Sequence, residues 1–230
     1  MVKRLSIIVV ILLALFAGEE LLLPRFVSTL IAHGMTQAAG TDQIEAQVSK
    51  RPAFLMLGGR FDSVRILARD AKVDKIAFSE LDTALTNVEL DMNALMTRKA
   101  VAIKSVGDID LTAVITQDEL TRYLNQSVKG IRNVEVAIND GKVQVSGKLT
   151  LSSIASLAVT LDGKIVGDGQ KIKFVTERFL LNNASVGNFG GTLLTEIPLV
   201  DMKKLPFGTE VRSITSENGK ITIYADNRGK

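Results

Sequence analysis

Residues 116–128, TQDELTRYLNQSV, are the clearest helix in a chain whose other patterned segments mostly read as strands. Thr116 supplies an N-cap, and Glu119 three residues on completes a capping box. Leu120, Tyr123, Leu124 and Val128 recur at helical spacing on one face. Asp118, Arg122, Gln126 and Lys129 take the other, with Asp118 and Arg122 a favourable i,i+4 pair. A lone amphipathic helix among strands must bury its stripe on a sheet. The expected fold is therefore α+β and mostly β, with a long, highly curved antiparallel sheet wrapped around one or two amphipathic helices. Its function turns on whether side chains or a ligand fill the space between helix and sheet.

Composition narrows the classes. Hydrophobic residues make up 46% of the 230 and charged residues 23%, enough for a sizeable core. Aromatics are only 5%, with no Trp, which argues against a stacking platform for nucleic acid or sugar. The net charge of +3 is scattered and compatible with an anionic lipid surface. With no Cys, a thiol nucleophile or Cys-ligated metal is excluded.

The N-terminus carries Lys3 and Arg4 ahead of the uncharged apolar run LSIIVVILLALFA, residues 5–17. This is an export pattern. The run is short of the ~20 residues of a full span, yet Leu15 is unfavourable for cleavage after Ala17. Residues 1–18 thus read as a signal peptide or a retained membrane anchor, 19–225 as a single domain and 226–230 as a polar tail. Residues 19–39 read as a helix with Pro24 in its first turn and a stripe of Leu22, Phe26, Leu30 and Ile31, ended by Gly40. His33, the only histidine, reads as structural or exposed.

Beyond Gln43 the period becomes two. Ile44, Ala46 and Val48 alternate up to Pro52. The run Phe54 to Leu57 reads as buried core, with an exposed apolar rim for membrane or lipid as the alternative. Val64, Ile66 and Ala68 alternate, as do Val88, Leu90 and Met92. The longest alternation, residues 101–115, contains Gly107 as a bend, and Asp108 and Asp110 on its solvated face. Asp140-Gly141 joins alternating runs as a hairpin. Residues 139–145, NDGKVQV, and 217–223, ENGKITI, look like copies of one hairpin, and Asp162-Gly163 like a looser third. Residues 182–191 read as a Gly/Asn-rich loop, 193–202 as a short helix and 205–208 as an apolar lead-in to the last hairpin.

No catalytic constellation accompanies this pattern. The chain has no nucleophile elbow, no zinc-protease helix and no phosphate loop. Its acids are dispersed along strand faces. No catalytic residue, metal or cofactor is expected, and basic residues form no aromatic-interleaved stripe for nucleic acid. An apolar groove between helices and curved sheet suits acyl chains. Candidate lining residues are Phe26, Leu30, Phe54, Leu57, Leu120, Tyr123, Leu124 and Val128. The competing reading is a membrane-tethered structural module whose core is fully packed.

The ordered set of the export segment, the helix with Pro24, GGRFDSVRILARDAKV (58–73), TQDELTRYLNQSV, NDGKVQVSGKL (139–149) and LPFGTEVRSITSENGKITIYA (205–225) resembles the bacterial LmeA-like phospholipid-binding family. That family is similar to the tubular lipid-binding (TULIP) superfamily. The resemblance implies a curved sheet around a long helix with lipid in the interior. It further implies phospholipid and membrane surface as partners, and a location in the cell envelope or periplasm. No catalytic residue is carried over.

Overall fold

Alternation dictates strands over most of this chain, and strands account for most of its elements. The computed structural model describes residues 2–73, 75–128, 130–150, 156–168, 171–182, 184–185, 196–201 and 208–228, with the side chains of 2–19, 21 and 150 left outside the description. The elements are α1 (Val2–Ala39), β1 (Ile44–Ser49), a 3₁₀ turn (Ala53–Gly58), β2 (Arg60–Val73), β3 (Ile76–Leu90), α2 (Met92–Arg98), β4 (Ile103–Ser105), β5 (Ile109–Thr116) and α3 (Gln117–Ser127). There follow β6 (Ile131–Asn139), β7 (Lys142–Thr150), β8 (Ser156–Gly167), β9 (Lys171–Leu181), β10 (Ala184–Ser185), β11 (Glu196–Asp201), β12 (Glu210–Glu217) and β13 (Lys220–Asp226). The expected α+β, mostly β class holds. The strands divide between two curved antiparallel sheets, ordered β1-β2-β3-β5-β13-β12 with β4 on β3, and β10-β9-β8-β7-β6 with β11 on β9.

The chain forms two compact units. The first holds residues 1–68 and 82–109, the second residues 69–81 and 110–230. In the first, Val27 and Ile31 of α1 pack with Met56, Phe61, Val64, Leu85, Val88, Leu90 and Leu95. In the second, Leu120 and Leu124 of α3 share one core with strands of both sheets, including Phe78, Ile115, Val136, Val145, Leu161, Phe174 and Ile223. The inward residues of β8, Val159, Leu161 and Ile165, and of β13, Ile221, Ile223 and Ala225, are buried at the strand period of two.

The capping box forms as read. The Thr116 N–H donates to Glu119 Oε2 at 2.7 Å, and the Glu119 N–H to Thr116 Oγ1 at 3.4 Å. Both hairpins form, at Asp140-Gly141 and at Asn218-Gly219, where φ is 51° and 74°. Their tips meet. The Gly141 N–H donates to the Ser216 carbonyl at 2.8 Å and the Gly219 N–H to the Ile138 carbonyl at 3.2 Å. The Gln117 N–H at the start of α3 closes onto the Gly219 carbonyl at 2.9 Å, and Gln117 Oε1 accepts from the Ile138 N–H at 3.2 Å.

Several expectations are corrected. Pro24 lies inside α1, not in a first turn, because the helix begins at Val2. The buried stripe of α1 is Val27 and Ile31, so Leu22 and Phe26 are turned outward. Met92 opens α2 instead of ending a strand: Asp91 Oδ1 caps it by accepting from the Ala94 N–H at 3.0 Å. Arg122 bonds the Asp118 carbonyl at 3.4 Å, not its carboxylate. Asp162-Gly163 is no turn but the interior of β8, where the register slips against β9. A Cβ at Gly163 would stand 2.1 Å from the Val175 carbonyl oxygen, so close backbone approach is what this glycine serves. Glu196–Asp201 is strand β11, not helix: Ile197 and Leu199 are buried while Glu196 and Pro198 are exposed, which is period two. The rest of that helix expectation, at 193–195 and 202, lies outside the described residues, as does most of the 182–191 loop and residues 205–207.

Candidate functional site

The candidate residues fall in two groups. Phe26, Leu30, Phe54 and Leu57 belong to the first unit, and Leu120, Tyr123, Leu124 and Val128 to the second. Leu30 is half-buried against the first core. The run Phe54 to Leu57 is split: it winds as a 3₁₀ turn that buries Met56 and exposes Phe54 and Leu57. Of the α3 face, Leu120 and Leu124 are 1% exposed and belong to the core. Tyr123 and Val128 are half-buried at its margin.

Tyr123 is where that margin opens. Its hydroxyl donates to the Pro198 carbonyl of edge strand β11 at 2.9 Å. Asn125 holds α3 against β6, its amide donating to the Val134 carbonyl and its Oδ1 accepting from the Val134 N–H, both at 2.9 Å. Two clefts share Lys75 and Tyr123. One of about 380 Å³ is lined by Lys72, Lys75, Ile76, Ala77, Glu119, Arg122, Tyr123 and Gln126. The other, of about 610 Å³, is lined by Lys75, Tyr123, Lys171, Pro198, Leu199, Val200 and Asp201. Both are of ligand-binding size.

Their electrostatics are lopsided. Four cations, Lys72, Lys75, Arg122 and Lys171, stand against Glu119 and Asp201. The buried Glu119 carboxylate is already used by the Thr116 N–H and hydroxyl. Among the described residues, Lys72, Lys75 and Lys171 have no ion-pair partner. Cations around an apolar wall suit an amphiphile with an anionic head. A third cleft, of about 560 Å³ between α1 and β1, is lined by His33, Asp42 and Glu45 without a Lys or Arg, so it does not suit an anion. His33 is exposed there, its Nδ1–H donating to the Thr29 carbonyl at 3.1 Å. None of this was readable from the sequence, because Lys72 on β2 and Lys75 just before β3 lie far along the chain from Arg122 on α3 and Lys171 on β9.

Perturbed carboxyls lie elsewhere, on strand and cap positions. Lys50 holds Asp62 below the ordinary carboxylate range, the Ala94 N–H does so for Asp91, Lys164 for Glu177, and the Arg228 N–H with Arg212 for Asp226. A lowered folded-state pKa stabilises above the unfolded value, and that stabilisation is lost as pH falls through the folded value. The urea midpoint is expected to be flat in these groups from about pH 8 to 5 and to fall below about pH 4. A midpoint that rose on acidification would contradict this assignment. Among the described residues, no group of three His, Cys, Asp or Glu is placed to hold a metal ion.

Among the described residues, these open clefts combine an apolar wall with a cationic rim, an arrangement that suits binding of an amphiphilic ligand. The chain belongs to the LmeA-like phospholipid-binding family, whose model matches residues 18–226, nearly its whole length. No curated protein and no solved structure matches it.

Proposed function

We propose that this chain is an exported cell-envelope protein that carries or stores a phospholipid. The phosphate sits among Lys72, Lys75, Arg122 and Lys171, and the acyl chains run along Tyr123, Ile76, Leu199 and Val200 toward the α3 margin at Val128. The observation that carries the reading is the juxtaposition, at Tyr123, of unpaired cations with apolar side chains in a phospholipid-binding family member. Magnitudes assign the roles. Each buried methylene contributes about 0.8 kcal/mol, so ten contribute about 8 kcal/mol. The rim cations, exposed to water, contribute about 1 kcal/mol each at contact. Chains set the affinity and the rim selects the head. The apolar run at residues 5–17 supports export, with the N-terminal helix as leader or anchor.

The competing module with a packed core is favoured by the burial of Leu120 and Leu124. Native mass spectrometry of the purified chain separates the two. A phospholipid-sized mass retained on the protein, and extraction of labelled phosphatidylglycerol from vesicles, are the expected results. A lipid-free protein that extracts nothing overturns the proposal.

A further inference from the structure

The first unit carries large apolar side chains that its own core does not use. Leu22 is 67% exposed and Phe26 54%, while Phe54 is 45% and Leu57 53% exposed. Leu22 and Phe26 are i,i+4 and share one face of α1. Phe54 and Leu57 are i,i+3 in a 3₁₀ turn, where such residues eclipse. The two pairs are held together. Glu20 Oε1 accepts from the Ala53 N–H at 3.0 Å, fixing the turn to α1 beside Leu22, and Val27 and Met56, both 0% exposed, lock the two elements through one core. Both elements thus present apolar pairs outward from a rigid joint.

We infer that Leu22, Phe26, Phe54 and Leu57 form a docking surface for an anionic phospholipid bilayer. Three observations select a bilayer as the occupant. The first is continuity. The apolar run at residues 5–17 belongs to the same unbroken helix, and Leu22 follows Ala17 by five residues, about 7.5 Å. Thirteen residues span about 20 Å, short of a ~30 Å hydrocarbon core, so a bilayer that takes up the run draws the next two turns to its interface. The Glu20–Ala53 bond sets the 3₁₀ turn at that same level. The second is charge. Arg25 and Arg51 are exposed beside the patch and have no ion-pair partner among the described residues. Among the described residues, the neighbouring acids Glu20 and Asp62 are engaged, Glu20 with the Ala53 N–H and Asp62 with Lys50 and the Arg51 N–H. The third is family: a phospholipid-binding chain works where phospholipid is. This surface is independent of the Tyr123 clefts, so either assignment can fail alone.

The absence of Trp from the sequence supplies the test. Full-length Phe54→Trp and Leu57→Trp chains each carry a single tryptophan on the patch. Full-length Tyr224→Trp places one at an exposed position of the second unit. Circular dichroism checks that each retains its fold. The probe is vesicles of phosphatidylcholine with phosphatidylglycerol, brominated at shallow acyl positions. The expected result is a blue-shift and loss of more than half the emission at 54 and 57, diminished when phosphatidylglycerol is omitted, with the 224 emission unchanged. Water-like, unquenched emission at 54 and 57 overturns the inference. So does a blue-shift that appears without vesicles and grows with protein concentration, which would make the occupant a second copy of the chain.

Discussion

Leu124→Asp is expected to abolish the cooperative unfolding transition of the second unit. Leu124 is 1% exposed and packs with Leu120, Phe78, Ile115 and strands of both sheets. Truncating a buried leucine costs about 2–5 kcal/mol. An unpaired buried carboxylate adds several more, or takes up a proton at comparable cost. Against a total stability of about 5–15 kcal/mol, the sum is decisive. Leu124→Met conserves volume and is expected to cost under about 1.5 kcal/mol. Urea denaturation followed by circular dichroism reads both. If the aspartate variant kept the parent midpoint, this face of α3 would not be core. A lipid chain would then be the better account of what covers it. Loss of lipid uptake in an unfolded variant carries no such information, and the cleft must be tested at its rim.

That test is the double reversal Lys75→Glu/Arg122→Glu. Extraction of phosphatidylglycerol is expected to fall at least tenfold while the melting transition stays put. At about 1 kcal/mol for each rim cation, losing both already exceeds tenfold, and reversing both charges adds repulsion. Stability should barely move, because exposed substitutions usually stay within about 0.5 kcal/mol. Salt gives an orthogonal reading. Raising ionic strength from about 0.01 M to 1 M shortens the screening length from about 30 Å to 3 Å, so parent binding weakens and variant binding does not. Equal extraction by parent and variant would remove the rim from the proposal and leave only the apolar wall.

What the sequence made legible was periodicity and local chemistry. Thr116 and Glu119 announced α3 because a capping box is local. Asp140-Gly141 and Asn218-Gly219 announced hairpins because their turn geometry is local too. Asp162-Gly163 carried the same letters with another cause. There the glycine admits the Val175 carbonyl of a neighbouring strand, and nothing within five residues reveals that partner. Glu196–Asp201 was misread as helix although Pro198 inside the run argues against one and suits an exposed strand position. Among the first unit's candidate residues, which way each apolar side chain faces was not legible. Phe26 and Leu57 face outward because Val27 and Met56 beside them take the core. A stripe on a helix fixes an angle only once a neighbour is known. The cationic rim was illegible for a related reason, since its residues converge only after β2, β3, α3 and β9 are paired.

The twin hairpin tips also set where this molecule can breathe. Their mutual hydrogen bonds, closed by Gln117, rivet the two sheets to the first residue of α3. Tyr123, six residues on and about 9 Å along the helix, holds only the carbonyl of Pro198. Among the described residues, the strand it holds pairs with β9 alone and slips register just after that proline. Opening therefore has a low-cost end. Under the proposed lipid reading, a tail would be admitted by peeling β11 from Tyr123 while the riveted end keeps its register. Amide hydrogen exchange would record the asymmetry: β11 amides are expected to exchange through local opening, those of Gln117, Gly141 and Gly219 only with global unfolding. The opposite order would place the gate elsewhere.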